Sequence, residues 1–179
     1  MPRLFTALEV PADIRLRLSL LRGPLPGAHW IDPDNMHLTL RFAGDITEHE
    51  ANDFAQALDG VSAAALAFDI TGVGSFGGKH PTILYADIAP NEALDALQRQ
   101  HERAARIAGL AAEPRPFKAH VTLARLRQTR VTPVARFLET YGDLRLGPIS
   151  VERFVLFSAR AGTGGGPYAI EETYDLASR

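Results

Sequence analysis

Met36-His37-Leu38-Thr39-Leu40 and Ala119-His120-Val121-Thr122-Leu123 decide the reading of this chain, because they write one pattern twice: histidine, aliphatic residue, threonine, leucine. Successive side chains of an extended strand point to opposite faces, so His37 and Thr39 project together while Met36, Leu38, Leu40 and Phe42 project the other way. His120 and Thr122 repeat the arrangement against Val121 and Leu123. Each segment reads as a strand with one apolar face for a core and one polar face carrying an imidazole and a hydroxyl.

The flanking sequence is duplicated too. Ahead of the first tetrad, the strand-like run Leu4 to Val10 is followed by Pro11 and a helical stretch with Ile14, Leu18 and Leu21 on one face. Ahead of the second, Thr82 to Ile88 reads as a strand, Pro90-Asn91 as a helix start, and Leu94, Leu97, His101 and Ala104 recur at helical spacing. After the first tetrad, Thr47 with Glu50 forms a capping box for a helix burying Ala51, Phe54, Ala55 and Leu58. Its counterpart opens at Thr132-Pro133 and carries Val134, Phe137, Leu138 and Tyr141. Leu66 to Val73 and Ile149 to Ser158 close the halves as strands. A turn over Gly162 to Pro167 then makes a hairpin with a last run in which Tyr168, Ile170, Tyr174 and Leu176 share a face. Two strand-helix-strand-helix-strand units predict an α+β fold, duplicated, pseudo-two-fold and bilobal. Two small, mainly antiparallel sheets are expected to face a central cleft, with the helices on their outer faces. Residues 1–179 are expected to form a single domain of two lobes, from halves of about 1–78 and 79–179, with strand exchange between them allowed.

Composition narrows the chemistry. With 46% hydrophobic and 22% charged residues in 179, the chain can bury a substantial core. A formal charge of −2 argues against a large nonspecific nucleic-acid binder while leaving a local basic pocket open. The absence of cysteine excludes disulfides, thiolate metal sites and cysteine nucleophiles. Glu9 and Asp13 interrupt the first residues too early for a secretory core, and no run approaches the ~20 apolar residues of a membrane span. A cytoplasmic protein without membrane contact is expected, and a monomer, since nothing resembles a heptad or an exposed apolar stripe.

If the halves are related by an approximate two-fold, the two His-Thr pairs face one cleft. In-line attack at phosphorus needs a base for the incoming oxygen and an acid for the departing one, on opposite sides. Imidazole serves both roles near neutral pH, and threonine hydroxyls can donate to the non-bridging phosphate oxygens. No metal or other cofactor is expected, since neither tetrad is followed by a carboxylate or second histidine and no HExxH-type pair is present. His49 and His101 fall on predicted helices and His29 and His80 in loops, where surface or packing roles are expected. Gly162 to Gly166 lacks the lysine and helix of a phosphate loop, and Gly72 to Gly78 reads as a flexible connector between the halves.

On these residues the chain resembles the RNA 2′,3′-cyclic phosphodiesterases, also called 2′-5′ RNA ligases, of the 2H phosphoesterase superfamily. The likeness takes in Arg3-Leu4-Phe5, Asn35 to Leu40 with Phe42 and Gly44, Pro116-Phe117 ahead of His120-Val121-Thr122-Leu123-Ala124-Arg125, and the tail from Phe154 to Leu176. The resemblance implies hydrolysis of RNA 2′,3′-cyclic phosphate ends to 2′-phosphates, and a related reversal forming 2′-5′ linkages. It implies His120 as the base that activates water, His37 as the acid, Thr39 and Thr122 as phosphate holders, and Arg125 as a contact to phosphate or base. RNA 3′ ends or cyclic-phosphate nucleotides would be the partners. Two alternatives stand beside it: a related enzyme acting on a small cyclic nucleotide or 2′-5′ oligonucleotide, and a noncatalytic nucleotide-binding module. Strict alternation puts Arg125 on the face opposite His120, so a bulge or strand end must redirect it. Arg41, in phase with His37, reads as a solvated edge residue. Ala119 replaces a proline usual in the family, Ala43 a larger aliphatic residue, and Thr82 a common arginine. Phe5 and Tyr85 are candidates for base stacking, although an aromatic on a strand more often packs in the core.

Overall fold

The computed structural model describes residues 1–160 and 165–177. The fold is α+β, as the sequence predicts. In chain order the elements are β1 (Arg3–Glu9), α1 (Ala12–Ser19), β2 (Ala28–Trp30), β3 (His37–Asp45), α2 (Glu48–Leu58), β4 (Leu66–Phe76), β5 (Ile83–Ile88), α3 (Glu92–Ile107), β6 (His120–Leu126), α4 (Val131–Thr140), β7 (Arg145–Val151), β8 (Arg153–Ala159) and β9 (Ala169–Asp175). The capping box forms as anticipated: Thr47 Oγ1 accepts from Glu50 N at 3.1 Å, and Glu50 Oε2 accepts from Thr47 N at 2.8 Å. Asn91 caps α3 by accepting from Leu94 N at 3.0 Å.

All strand pairs are antiparallel, in the order β7-β4-β5-β6-β3-β1-β8-β9, with β2 added alongside β6. The two small sheets anticipated from the sequence are therefore the arms of one sheet. They join where β3 meets β6, through a single registered pair, Leu38 opposite Val121. Strands cross between the halves of the chain: β4 pairs with β5 and β7, while β8 and β9 extend the arm that begins with β1. The run Ile149 to Ser158 is consequently two strands rather than one. It breaks at Glu152, passing from the edge beside β4 to the edge beside β1.

The glycine stretch at 72–78 is also not a loose connector. β4 continues through it to Phe76, with a register shift between Ile70 and Val73 that accommodates Gly72 at φ +90°. Only Gly77 and Gly78 lie in the following turn. The anticipated turn over Gly162 to Pro167 lies partly outside the described residues, and β9 begins at Ala169, one residue after Tyr168.

Two further bulges decide which side chains reach the cleft. In β3, Ala7 pairs with Thr39 and Thr6 with Arg41, so Leu40 is the extra residue. In β6, Tyr85 pairs with Thr122 and Leu84 with Ala124, so Leu123 is the extra residue. Beyond each bulge the alternation inverts. Arg41 thereby turns away from His37, contrary to its reading as a solvated edge residue. It is buried beneath the sheet, donating to Glu102 of α3 and to the carbonyls of Phe42 and Ala111. Phe42, expected on the core face, is exposed instead, opposite the buried Phe5.

Of the surface and packing roles left open for His101, the fold gives it the buried packing one. Its Nδ1 lies 2.8 Å from Thr6 Oγ1, its ring meets Phe154 edge-on at 4.4 Å, and its Nε2 is buried without a partner. Burial pushes its pKa down to about 3. An unfolded histidine takes up a proton near pH 6.5 whereas this one resists until about pH 3, so the unfolded chain binds more protons in between. Stability is thus complete above pH 6.5 and falls as the pH drops towards 3, by an amount on the order of a few kcal/mol. Urea unfolding at pH 7 and pH 4.5 checks this: the parent midpoint is expected to fall, and that of His101→Gln, which cannot take up the proton, to fall markedly less.

Candidate active site

The register at the Leu38–Val121 pair generates the site. In an antiparallel ladder this pairing brings His37 opposite Thr122 and Thr39 opposite His120, and all four project to the face away from the buried Leu38 and Val121. The histidines then occupy diagonal positions, for which Cβ separations of about 7–8 Å are usual.

Each imidazole is oriented in the same way. His37 Nδ1 is 2.8 Å from Asn35 O, and His120 Nδ1 is 2.6 Å from Lys118 O. A carbonyl oxygen only accepts, so Nδ1 carries the hydrogen in both rings and Nε2 is left available for proton transfer. The 3₁₀ turn Pro33–Asn35, capped by Asp32 accepting from Asp34 N at 2.9 Å, presents the Asn35 carbonyl. Sequence reasoning placed the histidines but not these carbonyls, which belong to backbone two residues earlier.

The walls differ. Phe5 packs 4.8 Å from the His37 ring, and Tyr168 meets it edge-on at 5.3 Å. His120 is bracketed by Phe76, edge-on at 5.0 Å, and Tyr85 at 5.3 Å. Tyr85 lies directly over Gly74, where a Cβ would stand 2.5 Å from the phenol ring. Asp87 is the cross-strand neighbour of His120 and pairs with Lys118 at 2.7 Å.

Burial lowers the pKa of both histidines. His37 falls to about 4 through burial, opposed by its bond to Asn35 and reinforced by the charges of His120 and Arg125. His120 is lowered by burial, with the Lys118 carbonyl bond opposing, the Lys118 charge adding to the fall and Asp87 counteracting it.

A cleft of about 160 Å³ is lined by His37, Thr39, Thr122 and Arg125, with Phe5, Phe42, Ile31, Ile83, Asn35 and Tyr168 completing it. Arg125 reaches it because the Leu123 bulge returns it to the face of His120 and Thr122, with Ile83 on one side and His29 on the other. His29 is therefore on a strand, β2, rather than in the predicted loop; three residues are too few to show periodicity. Tyr168 escaped notice as a wall of the site because an isolated aromatic near a turn carries no signal of what it faces. Thr82 stays outside the cleft, its carbonyl accepting from Leu126 N at 2.8 Å. Among the described residues no group of three or more His, Asp or Glu is arranged to hold a metal ion, and no helix is long and apolar enough to cross a membrane.

A family model described as "LigT like Phosphoesterase" matches residues 8–85 and 87–168. The chain belongs to the LigT-like phosphoesterase family. Among its relatives, the RNA 2′,3′-cyclic phosphodiesterase of Aquifex aeolicus is 28% identical over 154 residues, 82% of this chain and 81% of that protein. The protein of the same name from Aeropyrum pernix is 27% identical over 140 residues, covering 76% and 79%. The crystal structure of E. coli LigT complexed with 3′-AMP superposes with a TM-score of 0.76 at 22% identity, over 98% of this chain and 99% of that one. TT0787 of Thermus thermophilus gives 0.79 at 23%, over 99% of both.

Two measurements check the geometry. Nitrogen-detected NMR of the imidazoles at pH 7 is expected to show His37 and His120 neutral and protonated on Nδ1, a pattern that protonated Nε2 would contradict. Gly74→Ala is expected to drive Tyr85 towards His120 and cut turnover at least tenfold while the chain remains folded by circular dichroism.

Proposed function

We propose that this chain hydrolyses RNA 2′,3′-cyclic phosphate ends to 2′-phosphates by two-histidine acid-base catalysis. The observation that carries the reading is the pair of imidazoles placed diagonally by the Leu38–Val121 register, each held through Nδ1 by the carbonyl two residues before it, with His37 lining the cleft and His120 on the same strand as the lining residues Thr122 and Arg125. The names of the relatives and the family membership support the same substrate.

In the proposed reaction water attacks phosphorus from the side opposite the 3′ oxygen. Nε2 of His120 takes the water proton as the new P–O bond forms, and Nε2 of His37 gives its proton to the 3′ oxygen as the P–O3′ bond breaks. The low pKa of His37 makes its proton a readily surrendered one once the bound phosphate has helped to install it. Thr39, Thr122 and Arg125 hold the non-bridging oxygens, where charge accumulates. The same groups would serve the reverse joining of ends through a 2′-5′ linkage. Residues 1–179 are read as one catalytic unit, since β3 comes from one half and β6 from the other.

Hydrolysis of a 2′,3′-cyclic nucleotide is the test. His37→Ala and His120→Ala are each expected to lose about 10² to 10⁴-fold in kcat, and near-parental turnover in either would remove that histidine from the mechanism. The pH profile follows from the signs of the shifts. The competent free enzyme has one imidazole protonated and one neutral, and both pKa values lie below 6.5. kcat/KM is therefore expected to fall as the pH rises above 6.5. kcat, measured with the anion bound, is expected to peak at higher pH because bound negative charge raises both values. A kcat/KM rising from pH 6 to 8 would contradict the assignment.

A further inference from the structure

Charge is unevenly distributed in this chain. Segments 22–31, 70–86 and 120–134 hold five of its 19 Lys and Arg (Arg22, Lys79, Arg125, Arg127 and Arg130) and none of its 21 Asp and Glu. The fold brings these segments together at one end of the cleft. β2 lies beside β6 with His29 opposite Arg125, and Ile83 of β5 flanks Arg125 on the other side. Arg127 N donates to Gly27 O at 2.9 Å and Leu126 N to Thr82 O at 2.8 Å, which carries the extended ladder one residue past the strand. Lys79 sits in the turn that leads into β5.

All five cations are exposed, and among the described residues none of them is in an ion pair with a carboxylate. α4 begins directly after Arg130 with no side-chain cap and no acidic residue in its first turn, so its positive end adds to the same field. Along β6 the cleft face presents His120, Thr122 and Arg125, and Arg127 follows Arg125 by two residues. Each two-residue step spans about 7 Å, comparable with the advance from one phosphate to the next in an extended single strand.

We propose that Arg127, Arg130 and Lys79 form a phosphate track leading out of the cleft, which holds the backbone phosphates of the nucleotides preceding the terminal phosphate of a single-stranded RNA. Unpaired cations without acidic neighbours in their segments suit a polyanion. The inference deepens the proposed function, because it selects among cyclic-phosphate substrates of the same cleft.

The test separates the two claims. Fluorescence anisotropy with a labelled eight-nucleotide single-stranded RNA ending in a 3′-phosphate measures binding without turnover. In Lys79→Gln/Arg127→Gln/Arg130→Gln the Kd at low salt is expected to rise at least tenfold. The slope of log K against log salt is expected to shrink by about 2, at ~0.7 per phosphate contact on a single strand. Arg99→Gln/Arg103→Gln/Arg106→Gln, with the same charge change on exposed α3, is expected to bind within twofold of the parent. Parental affinity in the first variant, or an equal loss in the second, would overturn the track. Turnover of a 2′,3′-cyclic mononucleotide is expected to stay within twofold in the first variant, and a comparable loss there would also overturn it. A parent that binds the RNA through these residues but leaves the cyclic mononucleotide and a cyclic-phosphate-ended oligomer intact would sink the phosphodiesterase reading and leave the track standing.

Discussion

The structure turns on the contact between Leu38 and Val121, the one registered pair where the arms of the sheet meet. Both side chains are fully buried, and among the described residues no other pair of these two strands is in register. That pair sets which residues of β3 and β6 share the face on which the cleft lies. A slip of one residue in either strand would send an imidazole into the core and an aliphatic side chain to the solvent face. The hydrophobic demand for Leu38 and Val121 to be inside is thus also what sets the two imidazoles, on separate strands, on the same face of the sheet.

Pseudo-symmetry supplies two equivalent imidazoles, but acid-base chemistry needs them to differ. The backbone treats them alike, with a carbonyl acceptor two residues before each ring. Their surroundings do not. His37 is enclosed by Phe5 and Tyr168 and feels the guanidinium of Arg125, whereas His120 lies beside the Lys118–Asp87 pair, whose charges act on it in opposite directions. The difference in proton affinity arises in the walls, and those are drawn from residues outside the two repeated tetrads.

Much of this was legible in the sequence because periodicity reports which face of a strand is buried. The tetrads, the capping box at Thr47 and the buried His101 all follow from local pattern. What escaped depends on partners. The bulges at Leu40 and Leu123 have no local signature, so strict alternation misplaced Arg41 and Phe42, and reached Arg125 only by requiring some irregularity. The division of Ile149 to Ser158 at Glu152 is likewise invisible in a run whose every residue suits a strand; only the competition of two distant sheet edges breaks it.

The crossing of strands between the arms bears on how the molecule is made. The arm that opens with β1 and β3 is finished by β8 and β9, so its edge stays unpaired until those distant strands have been made. Folding is then dominated by long-range pairings, which makes it slow for its length. Removal of β8 strips pairing from one side of β1, the strand that lies against β3 and its histidine.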